Sequence, residues 1–388
     1  MNKRPFIILS AFLLLFSLIE KGQATETYRP ETSVAGFIQL PGSGRQVYNF
    51  NPGWRFFRGD VRGAEVVNFD DRSWNVVSTP HTVELMPAEG SGCRNYQGPA
   101  WYRKHFVLPA ETKGQRVVLH FEAAMGKQIL YLNGKRIQEH LGGYLPFTLD
   151  LTANGVQAGD SCLLAVFTDN SDDKSYPPGK RQYTLDFAYH GGIYRDVWMI
   201  AKSPVAITDA IDSQTVGGGG VFVHFDKISE KSAQVYVNTE VQNDDARSES
   251  VTVETTLTDA DGKVIKRSSG KLSLKPGEKK SIRQQMEVKN PTLWSPDTPY
   301  LYRVQSRIKK GNKSIDGGIT RVGIRLAEFR GKDGFWLNGK PFGQLVGANR
   351  HQDFAYVGNA LPNSQQWRDA KRLRDAGCTI IRVAHYPQ

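Results

Sequence analysis

The sequence predicts a mainly β chain: two β-sandwiches in succession, then one parallel βαβ unit. Three observations carry that reading. Short runs of alternating apolar and polar residues, punctuated by Gly, Asn and Asp turn clusters, recur from Tyr28 to about residue 323. Amphipathic helical spacing is rare before Ser364. After it, Trp367, Ala370, Leu373 and Ala376 recur at helical spacing and lead into the β-branched run Thr379, Ile380, Ile381, Arg382, Val383.

Residues 28–203 form the first expected domain. Strand-like runs centre on residues 54–56, 101–106, 117–121, 129–132 and 163–167. Between Leu132 and Lys135, Asn133-Gly134 is a hairpin signal, because both residues tolerate the positive φ that a type I′ turn needs. Residues 204–323 form the second. Period-2 alternation covers 235–241, 251–257 and 281–288, with a glycine loop at 217–220 and a turn at 259–263. Asp259 and Asp261 lack the third acid that a calcium loop requires. The size and alternation fit an immunoglobulin-like sandwich without its disulfide.

Residues 324–388 open with a hairpin at 334–342, again turning on Asn-Gly. Leu345 and Val346 are an apolar strand run ending in Gly347. Ser364 reads as a helix N-cap, Gly377 as the closing C′ glycine, and residues 379–383 as a second strand. Strand, helix and strand in this order predict a parallel pair. In a (β/α)₈ barrel, polar residues just past the strand C-termini face the active site. Asn349-Arg350-His351 follows one strand and Arg382 with His385 ends the next, so one histidine from each is aimed at a single spot.

The chain has 388 residues, 39% hydrophobic, enough for two to three cores. Its formal net charge is +11, of which Lys3, Arg4 and Lys21 against Glu20 account for +2. The positive charge is scattered, without an arginine-rich helix or basic tail, so no nucleic-acid partner is expected. A basic surface suits acidic polysaccharides instead. Residues 1–24 read as a signal peptide: Lys3-Arg4, an apolar run from Phe6 to Ile19 that is short for a bilayer span, and Gln23-Ala24 at the cleavage site. An exported chain, periplasmic or secreted and not inserted in the membrane, is expected; an uncleaved anchor is the alternative. The three cysteines, Cys93, Cys162 and Cys378, match no zinc spacing and no complete disulfide framework. Cys162 and Cys378 read as buried small hydrophobes, with a Cys93–Cys162 bridge left open.

Segments 347–354 (GANRHQDF) and 380–387 (IIRVAHYP) together resemble the start of the catalytic barrel of glycoside hydrolase family 2, which includes β-galactosidases, β-glucuronidases and β-mannosidases. Segments 121–124 (FEAA), 131–135 (YLNGK), 142–147 (GGYLPF) and 191–197 (GGIYRDV) resemble that family's sugar-binding jelly roll. Residues 290–302 resemble the end of its second domain, and 334–342 the lid at the bottom of its barrel. The resemblance runs from about Tyr28 to Gln388.

The resemblance implies an exported glycosidase, nearest to a β-galactosidase, cleaving terminal β-glycosidic bonds of oligo- or polysaccharides with retention. Retention needs two carboxyl groups about 5 Å apart, an acid and a nucleophile. In the family both are glutamates on later barrel strands. Here the last glutamate is Glu328, and the acids after Gly343 are Asp353, Asp369 and Asp375. The expectation is an N-terminal part of such an enzyme, with a truncated barrel, inactive as it stands. By the same resemblance, His351 and His385 hydrogen-bond sugar hydroxyls, Asn349 lines the pocket, and Arg382 keeps the nucleophile ionised. Asp186 reaches over from the jelly roll to the glycone, close to His351 or His385. Gln97 sits where some β-galactosidases have asparagine, and Cys378 replaces a more usual asparagine. No cofactor is readable, and the family's metal-ligand region follows Gln388. Tyr96 and Tyr144 are candidate exposed sugar-stacking rings. The competing reading is a carbohydrate-binding or adhesion protein of two sandwiches.

Overall fold

The computed structural model describes residues 27–29, 31–32, 39–87 and 95–387. The expected leader and Cys93 lie outside them. In the first sandwich a five-stranded sheet runs in the order Glu31–Thr32, Gln46–Asn49, Val197–Lys202, Arg116–Phe121, Phe147–Asp150. It faces a six-stranded sheet ordered Asn75–Val77, Trp54–Arg58, Pro99–Val107, Ser161–Asp169, Lys127–Leu132, Lys135–Leu141. The inner faces meet in a core that includes Phe50, Trp54, Tyr102, Phe106, Leu119, Phe121, Leu164 and Met199. Asn133 and Gly134 take φ of 51° and 83°, the I′ turn expected at that hairpin.

The strand Pro99–Val107 is buried on both faces, because residues around Ala64 and Trp74 cover its outer side. Its two basic residues are therefore both inside. Arg103 pairs with Asp71 at 2.8 Å and donates to the carbonyl oxygens of Ala64 and Val66. Lys104 donates to the carbonyl oxygens of Phe50 and Pro52, 2.6 Å each, with the Tyr28 and Phe50 rings 3.8 and 4.0 Å away. Burial drives the Lys104 ammonium well below its usual pKa.

The second sandwich packs two four-stranded sheets. In one, Ser232–Asn243 is flanked by Val205–Ile207 and Val221–Asp226 along one edge and by Lys279–Lys289 along the other. The other is ordered Val264–Leu274, Glu249–Thr258, Tyr302–Lys310, Lys313–Val322. Val235, Val237, Leu257, Met286 and Val304 fill one part of its core, and Val241, Val251, Val253 and Ile308 another. A hydrophilic joint fixes this sandwich to the first. Asp316, fully buried, accepts two hydrogen bonds from Arg45 at 2.8 Å each and one from the Ile207 backbone at 2.8 Å.

A three-stranded sheet, Ala327–Phe329, Phe335–Leu337, Lys340–Pro341, leads to the βαβ unit. There Gly347–Arg350 pairs in parallel with Ile380–Val383, and the helix Asn363–Asp375 connects them. The first strand starts at Gly347, two residues later than the apolar pair Leu345-Val346 suggested. The helix starts one residue before Ser364: Pro362 is its N-cap and no side chain caps it. Proline disfavours helical backbone in the residue before it, so the helix cannot extend back past Pro362 and its start needs no hydroxyl. The C-terminal end is as expected. Gly377 has φ 90°, its N–H reaches Arg374 O, and Cys378 N–H reaches Leu373 O, a Schellman closure. Trp367 is 65% exposed, and no residue of the helix is buried. Cys162 is buried, but Cys378 is only half-buried; both are free thiols.

Asp316→Ala should leave Arg45 without its carboxylate at the joint and cost about 3–5 kcal/mol of unfolding free energy. Removing the exposed Arg136–Glu139 pair should barely move the unfolding midpoint. Scanning calorimetry of the two variants side by side tests this; equal shifts would refute a stabilising role for the joint.

Candidate functional site

The parallel strand pair sorts its side chains between two faces. Asn349 and Arg382 are register partners and share one face, where Arg382 Nη1 lies 3.4 Å from Asn349 Oδ1. Arg350 points the other way and pairs with Asp369 of the helix at 2.7 Å. The strands can approach because residue 347 is glycine: a Cβ there would lie 1.9 Å from Ile380 O.

Past the strand ends the two histidines converge. The rings of His351 and His385 are 5.4 Å apart and nearly perpendicular, at 77°. His351 Nδ1 is 3.2 Å from Tyr386 Oη. His385 Nε2 is 3.8 Å from Asp186 Oδ1, and Asp186 belongs to the first sandwich. One ligand atom from each of Asp186, His351 and His385 lies within 4.8 Å of the other two. The expected approach of Asp186 to the histidines is thus present. Two imidazoles and a carboxylate so placed can bridge adjacent hydroxyls of one ligand, and they are also the described residues able to share a divalent cation.

Aromatic rings pack beneath this cluster; of them the sequence reading singled out Tyr144, as an exposed sugar-stacking candidate, and missed Phe187 and Tyr386. Phe187 packs against His351 and His385 at 5.7 Å each and against Tyr386 at 5.2 Å. Tyr144 stacks on Tyr386 at 4.3 Å with ring planes 7° apart. Tyr386 is buried, and burial pushes its phenol above the usual range, with Asp353 adding to the rise. Tyr144 is therefore half-buried flooring rather than an open sugar platform. Tyr96 is also turned inward, its hydroxyl donating to Pro99 O at 2.8 Å. The only signal for Phe187 and Tyr386 was adjacency: Phe187 follows Asp186, and Tyr386 follows His385.

A set of contacts seats the first sandwich on the βαβ unit. Arg195 donates to Gln352 Oε1, a residue with no solvent exposure. His190 Nδ1 lies 3.2 Å from Asn359 Oδ1, and burial lowers the pKa of that imidazole. Asn363 Nδ2 donates to Asp196 Oδ2 at 3.0 Å. Gly358, at φ 53°, lies so close under His190 that a Cβ would sit 2.5 Å from its ring. Ala123, Met125, Tyr189, Tyr194 and Ala360 form the apolar cluster between the two parts. Gln97 is elsewhere: it donates to Asn170 O and Asp172 Oδ1 at 3.2 and 2.9 Å, and none of its hydrogen bonds reaches the histidines. Asp353 is exposed, and Asp369 is held by Arg350 and Gln365.

Comparison with known proteins identifies the architecture. Residues 66–204 match the model of the glycosyl hydrolases family 2 sugar-binding domain, 219–325 that of glycosyl hydrolases family 2, and 329–388 that of the family 2 TIM barrel domain. The chain belongs to glycoside hydrolase family 2. A β-galactosidase of Thermoanaerobacter pseudethanolicus is 34% identical over 346 residues, which cover 89% of this chain and 44% of that protein. A β-glucuronidase of Formosa agariphila is 33% identical, covering 89% of this chain and 36% of that protein. The crystal structure of a Bacteroides uniformis β-glucuronidase superposes with a TM-score of 0.79 at 32% identity, covering 89% of this chain and 40% of that one. The chain thus spans less than half the length of these relatives. Family membership accounts for the fold: the two sandwiches and the parallel strand pair are the jelly-roll, immunoglobulin-like and barrel parts expected from the motifs.

Two measurements probe the site. Tyr386→Phe removes the hydroxyl beside His351 Nδ1 and keeps the ring, so the side-chain ¹⁵N resonances of His351 should shift while those of His385 stay; unchanged His351 signals would mean the contact does not set its tautomer. Burial and the nearby Glu122 raise Asp196 to about 6. A carboxyl raised on folding stabilises fully below its unfolded pKa, and that contribution is lost as pH rises through about 6. Asp196→Asn should therefore gain thermal stability relative to the parent between pH 4 and 7, read from melting midpoints; parallel pH profiles would refute this.

Proposed function

We propose that this chain is the N-terminal part of an exported, retaining exo-β-glycosidase acting on terminal β-galactosides. The observation behind it is the meeting of Asp186 from the jelly roll with His351 and His385 at adjacent strand ends. A carboxylate acceptor and imidazole donors in one solvent-facing cluster suit the vicinal hydroxyls of a terminal sugar. Asn349 and Arg382, on the same side of the strand pair, stand where a reacting anomeric carbon and a nucleophilic carboxylate would meet. In this reading Arg382 holds that carboxylate ionised, and the acid and nucleophile are glutamates following residue 388 in a longer form. The 388-residue chain alone then turns nothing over, since its cluster has a single carboxylate. Export rests on the leader-like residues 1–24. A second reading, β-glucuronides, is favoured by the names of the Formosa and Bacteroides uniformis relatives.

The test is turnover of a nitrophenyl β-glycoside panel by a form extended through the whole barrel. β-Galactoside should be preferred, and Asp186→Asn should lower kcat/KM by about 10–100-fold, the cost of losing a charge-assisted hydrogen bond. Preference for β-glucuronide would select the second reading. Full activity in the Asp186→Asn variant, or no turnover of any glycoside, would overturn the assignment.

A further inference from the structure

Asp186, His351 and His385 come from three separated segments, yet one ligand atom of each lies within 4.8 Å of the other two. Their mutual geometry is close to that of side chains sharing one ion. With metal–nitrogen bonds of about 2.0–2.1 Å and tetrahedral angles, two imidazole ring centres come about 5 Å apart. The rings of His351 and His385 are 5.4 Å apart. Two ligand atoms on such an ion lie about 3.4 Å from each other, and His385 Nε2 is 3.8 Å from Asp186 Oδ1. The Asp186 side chain is 78% exposed, so rotation about its own bonds can close the difference.

The surroundings prepare the imidazoles as ligands. The Tyr386 hydroxyl engages His351 Nδ1 at 3.2 Å, which leaves the other ring nitrogen for a metal. Phe187 packs on both rings at 5.7 Å and limits their tilt. The donor set selects the ion. Two imidazole nitrogens and one carboxylate suit zinc, whereas magnesium and calcium take shells of oxygen. Three protein ligands leave a fourth position open, and the exposure of Asp186 and His385 gives an ion its way in.

We propose that Asp186, His351 and His385 form a zinc site that pins the first sandwich to the ends of the parallel strands. Asp186 belongs to the sandwich, and the two histidines follow the paired strands. One ion thus ties the two parts together, and it stabilises the folded chain as it saturates the site. It occupies the groups that the glycosidase reading gives to sugar hydroxyls; in that reading, metal and terminal sugar exclude each other.

The experiment is calorimetric titration of zinc chloride into the chelator-treated 388-residue chain at pH 7.5, with melting midpoints recorded at both ends of the titration. Binding should be one-to-one and should raise the midpoint, and magnesium chloride should not bind. Asp186→Asn, His351→Ala and His385→Ala should each weaken zinc binding by more than the about ten-fold expected of Tyr386→Phe, which removes only the hydroxyl behind His351. His224→Gln, on the second sandwich, keeps parental affinity. Metal-free midpoints check that the variants fold; if a histidine variant is destabilised, Asp186→Asn decides, since its side chain is exposed. The proposal is overturned by absence of one-to-one zinc binding, by unchanged affinity in Asp186→Asn, by magnesium binding as tightly as zinc, or by a midpoint that saturating zinc does not move. The titration contains no glycoside, so a negative result leaves the sugar reading standing.

Discussion

Everything at the candidate site depends on how the first sandwich is seated on the ends of the parallel strands. Asp186 is an exposed side chain on a loop, and such a group is worth nothing to a ligand unless its position is fixed. Fixing comes from its neighbours in sequence. Phe187 is wedged among His351, His385 and Tyr386. Further along, His190, Arg195 and Asp196 bond Asn359, Gln352 and Asn363. These partners lie in the connection between His351 and the helix and at the helix's first residue, so the loop that delivers the carboxylate and the segment that delivers the histidine hold each other. A cluster built from side chains of two domains is preorganised only to the extent that the interface is rigid. The bare approach of Gly358 to His190 leaves no slack there.

That rigidity extends back into the jelly roll. Its central strand carries Arg103 and Lys104 into fully buried positions, which is affordable only because backbone carbonyls and Asp71 take up their donors. Burying two basic side chains next to each other in one strand commits each face to a specific set of partners. Arg103 ties down the 64–71 segment on the outer face, and Lys104 ties Phe50 and Pro52 together with the Tyr28 ring on the inner one. The sheet therefore tolerates little sliding of the strand that leads to Gly98 and Gln97, and the loop carrying Asp186 springs from a fixed base.

Some of this was legible in the sequence, and the reasons are physical. The Asn-Gly hairpins at 133–134 and 338–339 were readable because few residue pairs accept the backbone conformation. The Gly377 helix end was readable for the same reason. The strand Val264–Leu274 was not: it is an edge strand with mostly exposed side chains, Lys266, Arg267 and Lys271 among them, and edge strands are kept polar against mispairing. Ser364 misled because a capping hydroxyl is only one way to start a helix, and Pro362 supplies another. His351 and His385 could be paired from local pattern, since the βαβ unit forces their strand ends together. Asp186 could not. Its closeness to His385 spans about half the chain, and only the resemblance pointed to it. The aromatic floor was hidden because Phe187 and Tyr386 look like ordinary loop aromatics, and Tyr144 like an exposed sugar platform, until three segments are brought together.

The division of labour on the strand pair then follows from the β period alone. Successive residues face opposite ways, so Asn349 and Arg350 cannot serve the same side. Arg350 is spent on Asp369 and holds the helix against the strands. That contact determines which face is left open, and Asn349 with its partner Arg382 occupies it. Slipping the pairing by one residue would exchange the two sets: the polar pair would turn toward the helix and Arg350 away from it. Two features oppose the slip. Only a glycine fits against Ile380 O, which fixes residue 347 in its place, and Arg350 would lose its carboxylate partner on the helix. The register that satisfies an ion pair on the helix side is thus the one that presents the site residues on the other, and packing and function are set by a single choice of strand alignment.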